Sequence, residues 1–216
     1  MLAPKLETLP AAQQSLWPKL SFTKELGFTL YGGTAIAIQL GHRISVDFDF
    51  FSPVSLDKAQ IFQAAPFLRN ATVIQDEVNS LTLFVTEPDT INSTVKISFF
   101  GLINVGRYEA PRITNDGVLS VASLNDLLAT KLKVILQRAE AKDYIDIAAL
   151  IRSGINLATG LSIAQEMFRP SFQPSERLKA LTYFNDGDLG TVQTTDRATL
   201  ISAAAKVREL PAIQLI

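Results

Sequence analysis

The chain has 216 residues, 47% of them hydrophobic and 19% charged, with a formal net charge of −1. That is enough apolar material to bury a core, as one large domain or two small lobes. The near-neutral charge, with no two basic residues adjacent, gives no support to tight nonspecific binding of nucleic acid.

There is no cysteine and one histidine, His42. Disulfides, thiolate zinc sites and cysteine nucleophiles are excluded, and a histidine metal cluster or a serine–histidine triad has too few members. No apolar run approaches the roughly 18 residues of a membrane span. The opening MLAPKLETLP lacks the basic-then-apolar order of a secretory leader. A cytoplasmic location, away from any membrane, is the expectation.

In chain order, the first expected element is a helix from about Ala11 to Leu26, with Leu16, Leu20 and Phe22 apolar and Pro18 awkward inside it. FTLYGG reads as a short strand running into a glycine turn. TAIAIQLG is a short buried helix with Gly41 as its stop. HRISVDFDFF alternates as a strand. SLDKAQIFQAAPFLRN has helical spacing with Ser55 as N-cap. Three strand-like runs follow, ATVIQDE, SLTLFVTE and STVKISFF, separated by Asn79-Ser80 and Pro88-Asp89 turns. GLINVGRYEAPRI fits neither period, and GVLSVAS reads as a last strand reaching Ser123.

Helices take over from there: LNDLLATKLKVILQRA, AKDYIDIAALIRSG ending at Gly154, then LSIAQEMF, PSERLKALTYF and RATLISAAAKVREL. The expectation is an α+β chain, with a mixed α/β core over residues 1–115 and a helical lobe over 116–216 packed on it.

The chemistry concentrates in YGGTAIAIQLGHRISVDFDFFSP, Tyr31 to Pro53. Residues two apart on a strand share a face, about 6.6 Å apart along it. Asp47 and Asp49 therefore converge on one site, and two ionised carboxylates there favour a hard divalent cation, magnesium or manganese. Two such ions roughly 3.5–4 Å apart would activate a hydroxyl and steady a leaving oxygen in phosphoryl or nucleotidyl transfer. Gly32 and Gly33 let the backbone approach a ligand. Thr34 opens the helix, whose free N–H groups seat phosphate. Arg43 and Ser45, in phase with the acids, add a bidentate cation and a hydroxyl. A turn and a solvated strand face would account for the same residues taken singly.

In this order the residues resemble the active-site motif of polymerase-β-like nucleotidyltransferases. They resemble more narrowly the AbiEii/AbiGii toxin branch, nucleotidyltransferase-like toxins of bacterial toxin–antitoxin and phage-defence systems. A downstream signature strengthens the likeness: Lys131, Arg138, Lys142-Asp143 and Asp146 in KLKVILQRAEAKDYIDIAAL. LKALTYFNDGDL is similar to the family's C-terminal segment, so the resemblance runs from about Leu30 to Leu189.

The resemblance implies a polymerase-β-like fold, a nucleoside triphosphate substrate and metal-dependent nucleotidyl transfer. Asp47 and Asp49 would ligate magnesium. Gly33 and Thr34 would hold the triphosphate, Lys131 would pair with phosphate charge, and Asp143 would act beside the site. An RNA acceptor, possible at the 3′ end of transfer RNA, and an antitoxin partner are likewise implied. A protein hydroxyl as acceptor, or a degenerate nucleotide-binding module, are the alternatives. Where the superfamily often has a third carboxylate, this chain has Ser98, with Asp76, Glu77, Asp89 and Glu109 as loose substitutes, which leaves the number of metals open. Asp143 or Asp146 could supply the missing negative charge from the helical lobe.

Simpler roles compete for the rest. Lys131 and Arg138, seven apart, share a helical face that suits either a phosphate or solvent. Asp143 and Asp146 sit where carboxylates favour a helix dipole. His42 suits a helix C-terminal cap. Asp186 and Asp188 flank Gly187 as turn formers. Phe48, Phe50, Phe51 and Trp17 read as core.

Overall fold

A computed structural model describes residues 1–86 and 94–216; the expected Pro88-Asp89 turn and Asp89 lie outside the described residues. The chain forms two compact units, Met1–Asn104 with Pro111–Ala122, and Val105–Ala110 with Ser123–Ile216. Among the described residues, no helix is long and apolar enough to cross a membrane.

The first unit begins with α1 (Ala11–Leu16), a 3-10 segment at Trp17–Ser21, and α2 (Phe22–Glu25). One continuous helix was expected here. Pro18 lacks an N–H to donate, and the helix tightens to 3-10 geometry around it. Then come β1 (Thr29–Tyr31), α3 (Gly32–Leu40), β2 (Asp47–Phe51), α4 (Lys58–Ala64), β3 (Thr72–Glu77), β4 (Ser80–Thr86), β5 (Thr94–Phe100), β6 (Arg112–Ile113) and β7 (Ser120–Val121).

The strands make one seven-stranded sheet in the order β3-β4-β5-β2-β1-β7-β6. β2 runs parallel to β5, and β1 parallel to β7; the other neighbours are antiparallel. β2 thus lies inside the sheet, paired on both sides. Its apolar residues Phe48 and Phe50 are fully buried with Leu30, Leu83, Ile97 and Phe99. Phe99 stacks on Phe50 at 5.6 Å and meets Phe22 at 6.2 Å, which packs the N-terminal helices on this face.

The N-cap of α4 is Asp57, whose carboxylate accepts from Gln60 N at 2.9 Å. Ser55, expected there, instead donates to Asn79. α3 stops as expected at Gly41, with φ of 73°, and Lys5 Nζ donates to the terminal Leu40 carbonyl at 2.9 Å.

The second unit is helical: α5 (Leu124–Val134), α6 (Ala141–Arg152), α7 (Leu157–Met167), α8 (Pro174–Ala180) and α9 (Thr194–Lys206). Ser123 caps α5 and donates to Asp126 at 2.5 Å. Asp126, 1% exposed, also accepts from Tyr108 N and Glu109 N at 2.7 and 3.2 Å, which ties Val105–Ala110 to this unit. Asp188 does more than form a turn. Its Oδ1 accepts from Ala141 N at 2.6 Å and so caps α6, which has no side-chain cap of its own.

Candidate active site

The alternation of β2 sends Phe48 and Phe50 to the core and Asp47 and Asp49 to the opposite face. Cross-strand register extends that face. Asp49 lies opposite Tyr31 on β1 and Ser98 on β5, and Ser98 lies opposite Thr82 on β4. Asp47 lies opposite Lys96, whose Nζ is 3.4 Å from Asp47 Oδ2. Tyr31 stacks on Phe51 at 4.8 Å, closing the Asp49 row with aromatic carbon.

The opening of α3 meets Asp49 directly. Gly32 has φ of 74°, and a Cβ placed on it would come 2.8 Å from Asp49 Oδ2. Glycine is therefore required twice over, for the left-handed backbone and for the approach of the carboxylate. The helix itself starts at Gly32, two residues earlier than the sequence suggests. Asp49 thus stands against the first residue of α3.

Thr34, inside the first turn and 1% exposed, donates to the Asp47 carbonyl and lies 2.8 Å from Ser45 Oγ. Its hydroxyl fastens α3 to the start of β2. Arg43 and Ser45 are not on the strand: β2 begins at Asp47. The chain before it is held by Ser45 N donating to Thr8 O at 3.1 Å. Here the alternation inverts, with Ser45 buried while Ile44 and Val46 are each 57% exposed. The Arg43 guanidinium donates to the neighbouring Ile44 carbonyl at 2.9 Å.

The second motif assembles in the helical unit. Lys131 on α5 is buried, and its Nζ lies 2.7 Å from Asp143 Oδ1 and 2.6 Å from Asp146 Oδ2, both carboxylates on α6 being fully buried. Of the three donors of an ammonium, two are directed at these acids. Arg138, half-exposed, adds two hydrogen bonds to Asp143 at 2.9 and 3.2 Å. Burial alone would raise the Asp143 carboxyl; the charges and hydrogen bonds of Lys131 and Arg138 outweigh it and hold it below the usual carboxylate range. The neighbouring Tyr144 hydroxyl is pushed up to about 12 by burial, then by Asp186 and Asp143. Lys142 pairs with Glu140 at 2.9 Å.

So Gly32, Thr34, Ser45, Asp47 and Asp49 come together in the first unit, and Lys131, Arg138, Asp143 and Asp146 in the second. With this geometry in place, the comparisons with known proteins are decisive. The family model described as nucleotidyl transferase AbiEii toxin, type IV toxin–antitoxin system, matches residues 21–213. The chain belongs to the AbiEii nucleotidyltransferase toxin family.

An uncharacterised protein of Aquifex aeolicus is 32% identical over 167 residues, 74% of each chain. Among solved structures, MenT4, a nucleotidyltransferase toxin from Mycobacterium tuberculosis, is similar with a TM-score of 0.63 at 13% identity, over 91% of this chain and 84% of that one. That likeness is one of fold, and it matches the mixed sheet with flanking helices expected from sequence. As an AbiEii-family protein the chain is a nucleotidyltransferase.

The donor chemistry can be tested against a metal. Asp47 and Asp49 offer oxygen ligands on one face of β2, suited to a hard divalent cation. Among the described residues no group of three or more His, Cys, Asp or Glu side chains could hold a metal. Of the loose substitutes, Asp76 is ion-paired with Lys58 and Glu77 ends the edge strand β3. Asp47 and Asp49 are therefore the residues that would hold a cation at this face. Reasoning from sequence missed Lys96 as a neighbour of Asp47. The available signal was the alternation of VKISFF, which puts Lys96 in phase with Ser98.

Proposed function

We propose that this AbiEii-family toxin is a magnesium- or manganese-dependent nucleotidyltransferase that moves a nucleotide from a nucleoside triphosphate to an RNA, with the 3′ end of transfer RNA as the leading acceptor. The observation that carries the reading is the Asp49 carboxylate set against Gly32 at the opening of α3, with Asp47 on the same strand face. A divalent cation on these acids would supply charge neutralisation for the triphosphate. Gly32, Gly33 and Thr34 bring the helix N-terminus, with its outward N–H groups, to the phosphates.

The role of the second motif is to hold α5 and α6 in one geometry. Lys131 and Asp143 form its buried centre, and Arg138, the more exposed cation, holds Asp143 in place with two further hydrogen bonds. Membership of a type IV toxin–antitoxin family implies a cognate antitoxin, acting in the cytoplasm where triphosphate and RNA are found.

The test is an assay with each labelled nucleoside triphosphate, magnesium and total transfer RNA, repeated on cell lysate. Label is expected in RNA with the wild-type chain and in none with Asp47→Asn or Asp49→Asn. Label in protein alone would replace RNA with a protein hydroxyl as the acceptor. Equal labelling by wild type and variants would end the assignment of these acids.

A further inference from the structure

We propose, resting on the nucleotidyl-transfer reading above, that Lys96 restrains cation binding at Asp47 until a triphosphate draws its ammonium to the phosphates. The argument starts from the register of β2 on β5, which sets Asp47 beside Lys96 and Asp49 beside Ser98. Beside the two acids, β5 offers a hydroxyl at Ser98, 1% exposed, and an ammonium at Lys96.

Lys96 is not there to hold the sheet together. The Lys96 and Asp47 side chains are 38% and 33% exposed, with Nζ and Oδ2 3.4 Å apart. An ion pair this open to solvent adds little to folding. A lysine carries its charge on a flexible four-carbon stem, so the ammonium can pass from Asp47 to a phosphate oxygen by rotation alone. Before a triphosphate arrives it shields Asp47 and restrains cation binding. Once the triphosphate and one cation are seated, it adds a further positive charge against the anionic phosphates.

This division of labour has a signature that a merely structural lysine would not produce. Removing Lys96 should tighten cation binding in the absence of nucleotide. A unit and a divalent charge about 5 Å apart, screened by water and salt, correspond to a change of about three- to tenfold.

The experiment titrates manganese alone into the full chain and follows free manganese by electron paramagnetic resonance, with circular dichroism confirming that each variant is folded. Manganese binding is expected in the wild-type chain, and its loss in Asp47→Asn and Asp49→Asn. Lys96→Met and Lys96→Gln should bind the ion about three- to tenfold more tightly, and Lys96→Arg should match wild type. Unchanged or weaker binding in both neutral variants overturns the inference while leaving the nucleotidyl-transfer reading intact. Absence of any manganese binding that depends on Asp47 and Asp49 overturns the metal reading itself, and the inference with it.

Discussion

Replacing Lys131 by methionine separates a structural lysine from a purely phosphate-binding one. The substitution keeps the length of the side chain and removes the ammonium that lies 2.7 Å from Asp143 and 2.6 Å from Asp146. Breaking a buried ion pair costs about 3–5 kcal/mol, because a charge is left without its partner. Arg138 still reaches Asp143 through two hydrogen bonds, so the expected loss is about 3–4 kcal/mol, toward the lower end of that range. With a urea slope of about 1.5 kcal/mol per molar, the midpoint of the helical unit falls by about 2 M.

The pH dependence must weaken as well. In the wild type the Asp143 carboxyl is held below its ordinary range, so its contribution is present above the unfolded value of about 3.9 and is lost as pH falls through the folded value. Without Lys131, part of what lowers the Asp143 carboxyl is gone, while burial and Arg138 remain. The folded value moves up toward the unfolded one, and less stability is lost as pH falls through the acid range. Urea unfolding followed by far-ultraviolet circular dichroism at pH 7.5 and at about pH 3 reads both effects. A variant within about 1 kcal/mol of wild type, with the wild-type pH slope, would show that Lys131 does not hold the acids, and the reasoning would fail.

Three further outcomes follow from single contacts. Gly32→Ala must adopt φ of 74° with its Cβ 2.8 Å from Asp49 Oδ2; it should lower stability by about 1–2 kcal/mol and nucleotidyl transfer by more than about tenfold, since the carboxylate has to move, checked by thermal melts and the labelling assay. Gly160→Ala would place a Cβ 2.4 Å from Leu128 Cδ2, a side chain with no exposed surface; overpacking α5 against α7 should cost about 1–3 kcal/mol in urea unfolding. Gln13→Leu should stabilise the first unit by about 1–2 kcal/mol, because neither end of this 1%-exposed amide has a hydrogen-bond partner; an unchanged or lowered melting temperature would contradict it.

What the sequence made legible is what local period and glycine chemistry control. Asp47 and Asp49 alternate with Phe48 and Phe50 inside a strand buried on one face, and that phase survives folding because a slip by one residue would put phenylalanines in water. Gly41 ends α3 as read, since its left-handed backbone suits glycine. The same alternation extended through Arg43 and Ser45 and misled there. Ser45 is held by Thr8 and Thr34, partners more than ten residues away, and no local period encodes them. The tether of residues 105–110 through Asp126, the Asp188 cap of α6 and the Lys96–Asp47 pair share that character. Each joins a polar group to a distant segment whose place is set by the fold.

Those distant polar links also explain how so short a motif holds its shape. The Gly32 turn and the acid strand are separated along the chain by α3 and an irregular connection. Thr34 bridges that separation by donating to the carbonyl of Asp47, one of the two acids itself. With Ser45 at 2.8 Å buried behind it, the hydroxyl is shielded from competing water, where a hydrogen bond is stronger than at a surface. The helix opening and the carboxylates therefore move as one body. Losing the Thr34 hydroxyl would loosen the spacing of Gly32 and Asp49 without removing any group that faces the triphosphate, and for a transfer reaction that depends on holding phosphate and acid in register, such loosening is itself a loss of rate.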